Sequence, residues 1–303
     1  MSTSEFAKIY SQKREPITGV QFFLLPLRKG KINYFKLKEK LEGSYNEYII
    51  DEEELQRFVS EGERLYVPEV FKGDSDGEQL VLKTTIDKVI RTPSSLFGNA
   101  TSDRAITLAY RDFKILLIET TEIHFLILYD EKTERHYLVI LGSRANSKNL
   151  FNNFNKFLEK IGLFAVYAQL DPDKIDKIRD KLKGELIDTT LENFPTSKIS
   201  KKRIMGRGFQ DEEAYLRDAR ISSVHQHMFE YIDKRGTKGT KRHVVTLSED
   251  GLVRFYSSIT YQDFEWFLRN EIFSHLRQTK KIPKGAPIIA YASPDDIFEE
   301  EKE

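Results

Sequence analysis

Apolar residues along this chain fall into short runs of strand length and into helical spacings. GVQFFLLPL (19–27) is an almost unbroken apolar run and predicts a buried strand. IDEEELQRFVSEGERL (50–65) begins with acids and sets Leu55, Phe58 and Val59 on one side, which predicts a helix. DFKILLIETTEIHFLILYDEKTERHYLVILGS (112–143) holds three apolar runs parted by polar stretches and predicts three antiparallel strands. SKNLFNNFNKFLEKIG (147–162) then predicts a helix and LFAVYAQL (163–170) a strand. DPDKIDKIRDKLKGEL (171–186) predicts a helix with Asp171 as N-cap and Pro172 in its first position. SSVHQHMFEYID (222–233), RHVVTLSED (242–250) and LVRFYSSI (252–259) predict three more strands, and TYQDFEWFLRNEIFSHLRQ (260–278) a helix capped by Thr260.

Runs of strands followed by helices predict an α+β fold, with antiparallel sheets and helices packed on one face. Two stretches share a plan, a three-strand meander followed by a helix, at about 110–190 and 220–280. Phe154, Phe157 and Leu158 in the first match Phe264, Phe267 and Leu268 in the second at a constant offset. Any helix covering a sheet needs that spacing, so it speaks for architecture more than for ancestry. TPSSLFGNATSD (92–103), rich in Gly, Pro, Ser and Asn, is the best linker candidate. The expected division is an N-terminal α+β region, 1–100, and a second α+β region, 101–303, that ends in an acidic tail at 295–303.

Composition narrows the classes. The chain has 303 residues with 39% hydrophobic and 12% aromatic content, enough for a sizeable core. No apolar run approaches the roughly 18 residues of a membrane span, and the N-terminus lacks a signal-like apolar stretch, so a cytoplasmic protein without a membrane partner is expected. With no cysteine, disulfides, thiolate metal sites and cysteine nucleophiles are excluded. The chain contains no GxGxxG, GxxxxGK[ST] or GxSxG, which removes support for dinucleotide, P-loop and α/β-hydrolase sites. FKGDSDGEQ (71–79) opens like a calcium loop, but its twelfth position, counted from Asp74, is Thr85 rather than Glu. The Glu-x-Lys pattern of metal-dependent nucleases occurs only in the tail.

His225 and His227 flank Gln226 on a predicted strand, which would turn both rings to one face. No third ligand is evident beside them, Glu230 and His243 being only guesses, so neither a metal nor another cofactor is expected.

The net charge of zero hides an uneven distribution. Lys198 to Arg242 carries twelve basic and six acidic residues, a local balance of +6, while the tail 295–303 carries six acids and one lysine. KISKKRIMGRG (198–208), with Lys198, Lys201, Lys202, Arg203 and Arg207, reads as an ordered loop or a flexible arm. KRGTKGTKRH (234–243), with Lys234, Arg235, Lys238, Lys241 and Arg242, reads as a hairpin tip. These ten residues are the candidate contacts to a phosphate backbone, with Phe229, Tyr231, Phe255 and Tyr256 nearby to stack bases if exposed. The expectation is a nucleic-acid-binding protein, of DNA or RNA, without catalysis of its own and within a larger assembly. The alternatives are a protein–protein adaptor or structural subunit that uses an open sheet face, as part of a complex or a homo-oligomer, and a divergent metal-dependent nuclease.

Overall fold

The computed structural model describes residues 3–17, 20–25, 32–50, 52–60, 63–68, 80–92, 95–111, 113–141, 158–159, 163, 165–194, 200–235, 241–249 and 253–278. In chain order the elements are α1 (Thr3–Ser11), β1 (Arg14–Ile17), β2 (Val20–Leu25), α2 (Tyr34–Leu41), β3 (Tyr45–Ile50), α3 (Glu52–Gln56), β4 (Arg64–Tyr66), β5 (Leu80–Arg91), β6 (Ser95–Tyr110), β7 (Phe113–Asp130), β8 (Arg135–Leu141) and β9 (Val166–Leu170). There follow α4 (Pro172–Leu182), β10 (Glu185–Glu192), β11 (Lys201–Met205), α5 (Glu213–Ile221), β12 (Ser223–Asp233), β13 (Lys241–Ser248), β14 (Val253–Thr260), α6 (Tyr261–Phe267) and β15 (Leu276–Gln278). Apart from a parallel pairing of β4 with β7, the registered strand pairs are antiparallel, and the fold is α+β.

The chain forms two compact units that no single cut separates. One takes residues 1–28, 126–144 and 165–290; the other takes 29–125, 145–164 and 291–303. In the second unit β3, β5 and β6 pair in order. Ile50, Leu55, Leu80, Leu82 and Leu116 form its core cluster, joined by Phe58, Leu65, Val67, Ala105 and Ile118. The expected helix over 50–65 shrinks here to the five residues of α3. The Ser60 amide donates to the Glu63 carboxylate at 2.7 Å, and the chain then continues as strand β4.

Two expectations fail in this unit for one reason. The supposed linker lies largely in β6, with Ser95, Leu96, Phe97 and Ala100 fully buried, so a division at residue 100 would fall inside a strand. Its small residues serve close packing. A Cβ on Gly98 would come within 2.3 Å of the Phe125 ring, and the Thr84 and Ser102 hydroxyls meet at 2.8 Å. Likewise, the first two strands expected in 112–143 are one strand, the 18-residue β7. The polar ETTE that seemed to interrupt it is answered across the sheet. Glu119 pairs with Arg104, Thr120 donates to Asp103 at 2.6 Å, and Glu122 accepts from Asn99 at 3.1 Å.

The first unit holds the elements that carry the candidate site. Its main sheet has six strands in the order β1-β14-β13-β12-β10-β11. The basic stretch 198–208, expected as a loop or arm, contributes the edge strand β11, Thr189 standing opposite Ile204 and Thr190 opposite Arg203. The β12–β13–β14 meander appears as expected, and the helix expected over 260–278 starts at Tyr261 and gives way to strand β15 at Leu276. The Thr260 side chain accepts from the Asp263 amide at 3.0 Å, and Asp171 with Pro172 opens α4. Past α6 the helix continues as a π turn and a 3₁₀ turn to His275. Phe255 meets Phe264 and Phe267 edge-on, with centroids 5.7 and 5.0 Å away, and Tyr231 lies 6.0 Å from Phe267. Each fully buried Phe contributes about 2–3 kcal/mol by transfer from water. Phe273 stacks on Tyr137 of β8 at 4.1 Å, so this helical run also touches the β8-β2-β9-β15 ladder of the same unit.

The helix expected over 147–162 falls mostly outside the described residues, as do the turn 71–79, the tail 295–303, Lys198 and Lys238. Among the described residues, no helix is long and apolar enough to cross a membrane.

Gly98→Ala should cost about 1–3 kcal/mol in a denaturant titration, because the added methyl collides with a buried ring. Adding Phe125→Leu should recover part of that loss. A Gly98→Ala variant as stable as the parent would refute the close-packing account of β6.

Candidate functional site

Alternation along β12 sorts the main sheet into two faces. His227, Phe229 and Tyr231 point toward the helices. His227 bonds to Asp176 of α4, Tyr231 meets Phe267 of the helical run, and Lys202 on the same face of β11 pairs with Asp218 of α5. Gln226, Met228, Glu230 and Ile232 point to the opposite face, with their cross-strand partners Ser248, Thr246, Val244 and Arg242. Asp188, Arg203 and Met205 on one side and Arg254 and Tyr256 on the other complete this second face. Among the described residues of the unit, no helix covers it.

Four of the eight described candidates, Lys201, Arg203, Arg207 and Arg242, lie on or beside this face, each with a carboxylate partner. Arg203 is held by Asp188, which is almost fully buried, through Nε at 3.0 and 3.1 Å and Nη2 at 2.5 Å. This pairing, first by its hydrogen bonds and then by its charge, raises the Arg203 pKa. Glu230 serves two arginines, Arg207 at 3.3 Å and Arg242 at 3.9 Å. Lys201 pairs with Glu192 at 2.6 Å. Four arginines, 203, 207, 242 and 254, therefore share the face with Glu185, Asp188 and Glu230, and the surplus of positive charge is small. The +6 counted along the chain is largely cancelled on the folded surface.

Three of those guanidinium side chains remain more than half exposed, those of Arg203, Arg207 and Arg242. Met205, at 69% exposure, with Ile232 and Tyr256, adds apolar surface between them. Arg254 lies over the Tyr256 ring at 5.9 Å. The other four described candidates lie elsewhere. Lys202 belongs to the helix-covered side. Arg235 is drawn to Asp233 at 2.5 Å and stacks on the Trp266 ring at 3.4 Å, so it braces the hairpin against α6. Lys241 stands opposite Asp233 at the base of the same hairpin, and Lys234 is exposed just beyond β12. Of the four aromatics considered for stacking, Phe229, Tyr231 and Phe255 are buried and only Tyr256 is exposed.

The two histidines do not act as a pair. At Leu191 and Thr190 the register skips from Val224 to Gln226, which leaves His225 as the extra residue of a β-bulge. His225 contacts Glu249 and Glu192. His227 is fully buried, with Nδ1 at 2.7 Å from Thr189 Oγ1 and Nε2 at 2.8 Å from Asp176 Oδ1. Because an ionised Asp176 can only accept, Nε2 carries a proton; the Thr189 hydroxyl meets Nδ1 and also donates to the Gln226 carbonyl at 3.2 Å. The order Thr–His–Asp is that of a nucleophilic relay. Thr189 and His227 are sealed from solvent, however, so no substrate can reach the hydroxyl, and the network instead ties β10 and β12 to α4. The guessed third ligands lie apart from His225: Glu230 is engaged by arginines, and His243 bonds to Ser257 at 2.8 Å beside Tyr231 and Phe255. Burial holds His243 below the ordinary histidine pKa and pushes the Tyr231 phenol far up.

No protein-family model matches this chain, and a search of curated proteins finds no match.

Burial works to raise the Asp176 pKa. The hydrogen bond from His227 and the charges of His227 and Arg179 outweigh it, and the carboxyl is held below its ordinary value. Its stabilising effect is therefore full above the unfolded carboxylate pKa of about 3.9 and disappears as pH falls through the lower folded value. Asp176→Asn should melt below the parent at pH 7, and the gap should close below about pH 4. A gap that persists to pH 2 would contradict this assignment.

Proposed function

We propose that this chain is a binding subunit that docks a protein partner on the open face of its six-stranded sheet. The observation that carries this reading is the makeup of that face: exposed Met205, Ile232 and Tyr256 interleaved with arginines that buried or half-buried carboxylates hold in place. Tyr, Met and Arg are enriched where proteins meet, and a rigidly held arginine loses little entropy on binding. A partner of matching chemistry presents apolar side chains flanked by carboxylates.

A nucleic-acid partner is the second reading, and the exposure of Arg203, Arg207 and Arg242 favours it. Asp188 engages Nε and Nη2 of Arg203 and leaves Nη1 free of that pair, so a phosphate could be approached without breaking it. The near-balance of charge on the face places this reading second, because affinity for nucleic acid rests chiefly on uncompensated cations.

A photocrosslinking residue introduced at 205 or 232 should give a discrete adduct that survives nuclease, while one at Leu216, exposed on α5, should give none. Tyr256→Ala should reduce the adduct at 205. Nuclease-sensitive adducts would favour the second reading. In that case Arg203→Ala, Arg207→Ala and Arg242→Ala should each lower the salt slope of log K by about 0.9 on duplex DNA. Adducts equal at 205 and 216 would remove the open face from both readings.

A further inference from the structure

The bulge in β12 places one imidazole between two carboxylates. His225 Nδ1 lies 2.9 Å from Glu249 Oε1 and 3.5 Å from Glu192 Oε2, and the three donor atoms lie within 4.8 Å of one another. They come from three places along the chain: the end of β10, the bulge in β12, and the turn after β13, where the Glu249 amide bonds the His225 carbonyl at 2.9 Å. The ends of the first two are also tied together. Asn193, in the left-handed region at φ 61°, donates to Ser223 at 2.7 Å.

One Nδ1 can present one proton, so it cannot satisfy both carboxylates. Lys201 is engaged by the other oxygen of Glu192, at 2.6 Å. With a neutral imidazole, two negative charges therefore face each other across the site, and one lysine lies at its rim. A divalent cation bound to the three inner oxygen and nitrogen donors would balance this arrangement. The spacing fits. Ligand atoms about 2.1 Å from a tetrahedral ion stand about 3.4 Å apart; the two distances from Nδ1, 2.9 and 3.5 Å, bracket that value, and the two carboxylate oxygens lie within 4.8 Å of each other. All three side chains are partly exposed, which leaves an entry path and room for water on the ion.

We propose that Glu192, His225 and Glu249 bind one divalent first-row transition-metal ion, zinc or manganese. Two carboxylates and one imidazole suit such ions, whereas magnesium and calcium prefer all-oxygen sets. The set differs from the one considered along the chain: His227 takes no part, and the two glutamates come from distant segments. The site is independent of which partner the open face takes.

The test uses full-length protein stripped with EDTA and titrated calorimetrically with zinc chloride or manganese chloride. One equivalent of one of these ions should bind and raise the melting temperature. Glu249→Gln and His225→Asn should each weaken binding at least about tenfold and abolish the thermal shift, and Glu192→Gln should behave alike. Melting curves recorded in EDTA show whether each variant is folded, and a variant that does not melt cooperatively is replaced in the comparison by the other two. Failure of both ions to bind at one equivalent would overturn the proposal and leave His225 as an ion-pair partner of the glutamates. Stoichiometric binding that survives Glu249→Gln and His225→Asn unchanged would overturn it too, since the ion would then lie elsewhere.

Discussion

The two-residue period of β12 is the constraint on which the rest of the main sheet depends. Odd positions from 227 to 231 fill the helix-covered side, and even positions from 226 to 232 form the open side. A one-residue slip would carry Phe229 and Tyr231 into solvent and bury Glu230 beneath aromatic rings. The continuous pairing from Gln226 with Ser248 to Asp233 with Lys241 prevents that slip, and the rings of Phe255, Phe264 and Phe267 lock the dry side. The sheet can then keep one face dry and the other polar without a second layer of helices.

The arginines of the open face follow from the same division. Asp188 is buried, and a buried carboxylate without a partner is far too costly to keep. Arg203 supplies that partner and so serves the fold first. Because its outer edge remains in water, the ion pair also presents a fixed donor at the surface. Glu230 does the same for Arg207 and Arg242 at the cost of leaving its two cations half-compensated. Surface charge here is organised rather than simply abundant, and that is the ground on which a mixed apolar and acidic partner is proposed ahead of a polyanion.

The bulge at His225 is the one place where β12 breaks its rhythm within the helix-facing and open sets. It detaches His225 from His227, which stays in the buried network with Thr189 and Asp176, and delivers it to Glu192 and Glu249. One inserted residue thus gives two histidines on either side of Gln226 entirely different chemistry.

Much of the architecture was legible along the chain because local rules governed it. Asp171–Pro172 and Thr260 open their helices by side-chain capping, and the meander from 222 to 259 shows its turns directly. Local rules failed where the compensation is non-local. Gly98 looked like a linker residue because its purpose, making room for Phe125, lies 27 positions away in sequence on the neighbouring strand. ETTE looked like a turn because Arg104, Asp103 and Asn99, which satisfy it, belong to another strand. The basic cluster was visible, but its acids were not: Asp188, Glu192 and Glu230 sit on neighbouring strands, and only strand order brings them beside Arg203, Lys201 and Arg207. By itself the sequence determined the α+β class, the helix caps and which residues carry charge. Only the tertiary structure decided which charges cancel and which histidine meets which acid, because Coulomb and hydrogen-bond energies depend on distances between strands that sequence separation does not encode.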